Sequence, residues 1–84
     1  MGEQKFVSLC KREVVEYANN LHPDCKITEN DVYVVWLCKT LQNNKALLST
    51  TVEDGVYYEI THNGNKGELY VDVYAKLQNY TVVI

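Results

Sequence analysis

An imidazole, a carboxylate and a thiol stand close together at His22-Pro23-Asp24-Cys25, and a second imidazole lies far along the chain at His62. These are the ligand types of a tetrahedral zinc site, and a thiol beside an imidazole is also the start of a nucleophile and base pair. Metal motifs of this kind supply a second close pair of ligands, yet no other Cys or His stands near His62. Nucleophilic catalysis needs a third group to orient the base, and the sequence supplies no motif for one. An enzyme or metal-binding protein using His22, Cys25 and His62 is therefore the alternative reading. The plainer one is a polar loop with a half-buried thiol. Ser8 and Ser49 have no motif around them, Glu53-Asp54 reads as a turn, and Glu13 and Glu16 read as a solvated helix face. The sequence predicts no catalytic residue, no metal ligand and no cofactor.

The elements that would carry these groups follow from hydrophobic spacing. Between Glu3 and Leu21, Phe6, Val7, Cys10, Val14, Tyr17, Ala18 and Leu21 fall on one stripe of an α-helix. Pro23 ends it, because proline disfavours α geometry at His22 and lacks a backbone donor. Thr28-Glu29-Asn30-Asp31 could cap one short helical turn or form a plain loop. A strand is predicted from Val32 to about Leu41, with Gln42-Asn43-Asn44-Lys45 as the hairpin loop into a second strand, Ala46 to Thr51. Glu53-Asp54-Gly55 is a turn signal, and Val56 to Thr61 has the aromatic and β-branched content of a third strand.

The last segment satisfies two periods at once. Leu69, Val71, Val73, Ala75 and Leu77 alternate as in a strand, while Tyr70, Val73, Tyr74, Leu77 and Tyr80 form a helical stripe. Asn65 with Glu68 resembles a capping box, and Asp72 with Lys76 is a favourable acid-before-base pair one turn apart. Those two features favour a helix over Glu68 to Asn79. Thr81 to Ile84 reads as a short extension or a fourth strand.

Composition bounds the function classes. With 84 residues, 46% of them hydrophobic, and seven Tyr, the chain is one domain, 1–84, apolar enough to fold yet near the size where a single core is barely sufficient. The net charge is −3 and the basic residues are scattered, which argues against nucleic acid as the partner. Helix, three strands, helix is also the order of double-stranded RNA-binding domains, but the segment that would dock, Asn63 to Lys76, holds only Lys66 and Lys76 against Glu68 and Asp72. No window approaches the apolar length of a membrane span, and no secretion signal opens the chain. Three widely spaced cysteines, Cys10, Cys25 and Cys38, suit reduced thiols in a cytosol, with Cys10 and Cys38 expected in the core. The expectation is a soluble cytoplasmic protein with no membrane partner.

The stretch VYVVWLCKTLQNNKALLSTT with the following DGVYYEITHNGNKGELYVDVY, and the opening KFVSLCKREVVEYAN, resembles a family of small uncharacterised proteins encoded by phages and prophages of Firmicutes. The likeness covers most of the chain and is one of texture, not of a catalytic signature. It implies a phage or prophage origin, a cytoplasmic location and a helical C-terminal segment. It brings no activity, ligand or site residue.

The expected architecture is α+β: a three-stranded antiparallel sheet with N-terminal and C-terminal helices packed on one face. Val32 to Cys38 is apolar at odd and even positions alike, so strand alternation sends Val32, Val34, Trp36 and Cys38 to one face and Tyr33, Val35 and Leu37 to the other. Helices cover one face only. The other, with Tyr33, Val35, Leu37 and one of Tyr57 or Tyr58, is the predicted interaction surface. The predicted role is association, as a homodimer or with a host or phage protein.

Overall fold

The computed structural model describes residues Met1–Ile84. Helix α1 runs from Glu3 to Leu21, and Phe6, Cys10, Val14 and Ala18, one turn apart, are its buried residues. The spacing predicted this stripe. At its end the His22 N–H donates to the Ala18 carbonyl at 2.8 Å, and Pro23 stops further winding. The loop beyond is pinned by Asn19, whose amide accepts from the Ile27 N–H (2.8 Å) and donates to the Ile27 carbonyl (3.2 Å). A single 3-10 turn, Glu29–Asp31, follows, with the Thr28 N–H donating to the Asp31 carboxylate at 3.0 Å.

Four strands complete the fold: β1 (Val32–Thr40), β2 (Asn43–Thr50), β3 (Val56–Asn63) and β4 (Glu68–Ala75). They form one antiparallel sheet in the order β1-β2-β3-β4, each strand paired with its neighbour in sequence. On the inner face, Val32, Ala46, Leu48, Tyr58 and Ile60 close a core with the α1 stripe and Ile27. Helix α1 lies over β1, β2 and β3. β4 extends past its cover, so its inner residues Val71 and Val73 remain partly exposed.

This corrects the expected fold. The sheet has four strands, not three, and Glu68–Ala75 is a strand, not part of a C-terminal helix. The local signals for helix are used otherwise. Asn63, not Asn65, is the organising side chain: its Oδ1 accepts from the N–H groups of Asn65 (3.1 Å) and Lys66 (3.2 Å), which makes a turn and not a helix start. Gly67, at φ 64°, then turns the chain back. Once reversed, Leu69, Val71 and Val73 lie opposite His62, Ile60 and Tyr58 of β3, and the strand period wins because β3 offers a complete ladder. Thr81 to Ile84 form no strand.

The hairpin between β1 and β2 also differs from expectation. It turns on Leu41 and Gln42, so Asn43 to Lys45 belong to β2. Leu41 adopts φ 55°, a left-handed conformation uncommon for leucine. The two hairpin ends that meet here are laced together: Gln42 Nε2 donates to Asn65 Oδ1 at 2.6 Å and the Gly64 N–H to Asn43 Oδ1 at 3.0 Å.

Candidate functional site

The residues with chemical potential are dispersed. His22 Nε2 meets Asp54 Oδ2 at 2.9 Å, tying the end of α1 to the β2–β3 turn. His62 is buried on the inner face, its Nδ1 3.4 Å from Asn44 Oδ1 and its ring centroid 6.4 Å from that of Phe6. Phe6 and His22 lie near opposite ends of α1, separated by about 24 Å at the helical rise. His22 and His62 therefore do not converge. Cys25 is exposed in the loop, and no group of three or more His, Cys, Asp or Glu is placed to hold a metal ion. Cys10 is buried, and burial pushes its thiol up to about 12. Cys38, expected in the core, is exposed.

The reason for the Cys38 position is a β-bulge. Val34 pairs with Leu48 and Trp36 with Leu47, which leaves Val35 unpaired in β1. One extra residue reverses the alternation beyond it. Leu37 consequently turns inward, opposite Ala46, and packs against the core, whereas Trp36 and Cys38 turn outward to join Tyr33. The five residues of the predicted interaction surface thus divide. Tyr33 and Tyr57 share the outer face, Val35 protrudes at the bulge, Leu37 lies on the inner side, and Tyr58 is in the core at 1% exposure.

The outer face is built in rows by the strand register. One row runs Tyr33, Ser49, Tyr57, Tyr74 across all four strands, and the next runs Trp36, Leu47, Glu59, Asp72. A third runs Cys38, Lys45, Thr61, Tyr70. Tyr33 (47% exposed), Trp36 (40%), Tyr70 (40%) and Tyr74 (51%) stand open on this face. Ser49, between Tyr33 and Tyr57, is buried beneath them and donates its hydroxyl to the Val56 carbonyl at 2.9 Å. Trp36 is the member that alternation without a bulge would have misplaced, and Tyr70 and Tyr74 are those that a helix at Glu68 would have misplaced.

Charge threads between the rings. Lys45 Nζ pairs with Glu59 Oε1 at 3.5 Å, and the Tyr74 hydroxyl reaches the same oxygen at 3.5 Å. Tyr70 donates to Glu68 Oε1 at 2.9 Å. The bond to Glu68 raises the pKa of Tyr70, and the negative charge of Glu59 raises that of Tyr74. At one corner Lys76 Nζ lies 5.9 Å from the centre of the Tyr57 ring. A hollow of about 320 Å³ beside Trp36, lined also by Cys38, Asn43, Lys45 and Thr61, lies at the small end of ligand-sized cavities.

An N-terminal helix on a four-stranded antiparallel meander, with one face packed and the other aromatic and open, defines the molecule as a small α+β domain. The chain belongs to a family of unknown function, DUF6275, whose model matches residues 7–84. No curated protein and no solved structure matches it. No helix is long and apolar enough to cross a membrane.

Proposed function

We propose that this protein acts by association, docking the outer face of its sheet on another protein. The supporting observation is the open array of Tyr33, Trp36, Tyr70 and Tyr74 around a half-buried Tyr57, which no other element of the chain covers. Tyrosine and tryptophan are favoured where a surface is apolar in body and polar at its tip, and they dominate the energetics of interfaces. The phenol oxygens of Tyr70 and Tyr74, whose O–H groups point to Glu68 and Glu59, supply hydrogen-bond acceptors at the rim of the patch. Glu59, Glu68 and Asp72 outnumber Lys45 and Lys76 on this face, and the net charge of −3 acts in the same direction, so the partner surface is basic around an apolar centre. The reading contains no catalytic step, and the separation of His22 from His62 weighs against the enzyme or metal alternative.

The likeness to small phage and prophage proteins of Firmicutes supports a phage or prophage origin, a cytoplasmic place of action, and a host or phage protein as partner. Parallel affinity capture with the natural protein and a Tyr33→Ser/Trp36→Ser/Tyr74→Ser variant tests the proposal. A partner that binds the first and is lost from the second is expected. Identical retention by both, with the variant folded by circular dichroism, overturns it.

A further inference from the structure

The outer face is not the only surface left incomplete. β4 is bonded to β3 along one side, and its other side is a free edge of unpaired backbone groups. Natural sheets blunt such edges with bulges, prolines or lysines. The opposite edge, β1, carries the bulge at Val35 and Lys39. β4, with the sequence ELYVDVYA, has no bulge, proline or lysine, and its two charges, Glu68 and Asp72, both stand on the outer face. Beside it on the inner side, Val71 and Val73 each keep 38% exposure, and Tyr17 and Leu21 of α1 are similarly bare.

The same chain carries an apolar segment with no place to sit. After Ala75 one further bond is made, Lys76 N–H to the Gly55 carbonyl at 2.7 Å. Leu77, Tyr80, Val82, Val83 and Ile84 then range from 69% to 114% exposed. Thr81-Val82-Val83-Ile84 is β-branched throughout and contains neither Gly nor Pro, so its intrinsic preference is for a strand. Extended, Leu77 to Ile84 spans roughly 26 Å, the length of an eight-residue strand such as β4.

We propose that Leu77–Ile84 of one copy adds as a fifth strand to the free β4 edge of a second copy, which returns the exchange. The lack of pairing between the tail and its own edge favours a second copy. Past the Lys76 bond to Gly55, Leu77–Ile84 makes no backbone hydrogen bond to its own β4 and forms no strand there. A return to its own β4 would spend Leu77-Gln78-Asn79-Tyr80 on the reversal and leave only Thr81 to Ile84 to pair. Two tails extended antiparallel about a twofold axis would each meet the other copy's β4, and that arrangement closes as a dimer without further growth. Both free edges are consumed, and main-chain hydrogen bonds carry the association, as in other cases of strand addition.

Sedimentation equilibrium of the full chain, beside a Val82→Asp/Val83→Asp variant, tests this. The two substitutions place a charge on each side of the added strand, whichever residue faces inward. Both positions are exposed, so folding, read by circular dichroism, is unaffected. A dimer is expected for the natural chain, with its dissociation constant raised at least about tenfold in the variant. Hydrogen exchange should protect the β4 amides not bonded to β3 in the dimer and release them in the variant. A Trp36→Ser chain should dimerise as the natural one does, which separates this inference from the outer-face reading. A monomeric natural chain at high micromolar concentration, or a dimer indifferent to the tail substitutions, overturns the proposal. A monomer whose β4 edge is protected also overturns it, because the tail would then pair with its own strand.

Discussion

The ring of Tyr58 stands edge-on to that of Tyr17, centroids 5.8 Å apart and planes at 75°, while the Tyr58 hydroxyl is sealed from solvent without a hydrogen-bond partner. A desolvated hydroxyl with no partner is a cost that the aromatic contact offsets. Tyr58→Phe keeps the ring contact and removes the orphaned group. Stability should rise by about 1 kcal/mol, read from urea midpoints at unchanged slope. A loss of that size would mean that the hydroxyl has a partner in solution.

Alkaline pH should expose the same residue. Burial first, then the charge of Asp54 and the neighbouring Tyr17, pushes Tyr58 up from 10.0 to about 12, and burial alone pushes Cys10 from 9.0 to about 12. Each group releases its proton earlier in the unfolded chain than in the folded one. Stability is therefore full below about pH 9 and declines as pH rises toward 12. Tyr58→Phe should remove the part of the decline that begins near pH 10, and Cys10→Ala the part that begins near pH 9, when unfolding free energies are compared across this range. A decline of equal slope in all three chains would assign the titration to other groups.

Deleting Val35 should be tolerated. The bulge residue is unpaired, and the pairs on either side of it, Val34 with Leu48 and Trp36 with Leu47, would close into a regular ladder without changing face. Stability should shift by no more than about 1 kcal/mol, and the Trp36 emission maximum should not move. A marked blue shift would show Trp36 turned inward.

The two turns that meet at the end of the sheet should respond in opposite directions. Leu41 is 83% exposed at positive φ, so Leu41→Gly loses no packing and relieves the backbone, a gain of about 0.5–1 kcal/mol. Gly64 lies against Gln42, and a Cβ there would collide with the Gln42 carbonyl oxygen. Gly64→Ala should cost about 2 kcal/mol or more, because backbone and not a flexible side chain must move. Thermal unfolding of the two variants checks both signs.

Asn19→Ala should cost about 1–3 kcal/mol, because it leaves both the N–H and the carbonyl of Ile27 without their partner. Asn19→Asp should recover only part of this, since a carboxylate can accept from Ile27 but cannot donate. Equal stability of Asn19→Ala and the natural chain would show that solvent replaces the amide.

The helix was legible from its one dominant period, and the first three strands from apolar, β-branched and aromatic runs separated by polar turns. Phe6, Cys10, Val14 and Ala18 fit only a helix, and alternate residues of β3 point into the core. β4 was not, because Leu69 to Ala75 satisfies both periods and the choice is made by β3, a neighbour in space. The outer face was half legible for a related reason. Nothing in Val32 to Cys38 marks Val35 as the extra residue, so a one-residue slip exchanged Leu37 for Trp36 and Cys38. Asn19, which reads as a weak helix former, proves to be the clamp on the following loop.

The strand order follows the chain without a crossover, and that shapes how the protein is born. On a ribosome α1 emerges before the sheet, with its apolar stripe bare, and its cover arrives only when Ala46, Leu48, Tyr58 and Ile60 have been made. At about 5–20 residues per second that interval lasts a few seconds, during which the nascent helix is a target for chaperones. Each hairpin can then zip locally as it appears, so the slow step of biogenesis is synthesis and not the search for distant partners.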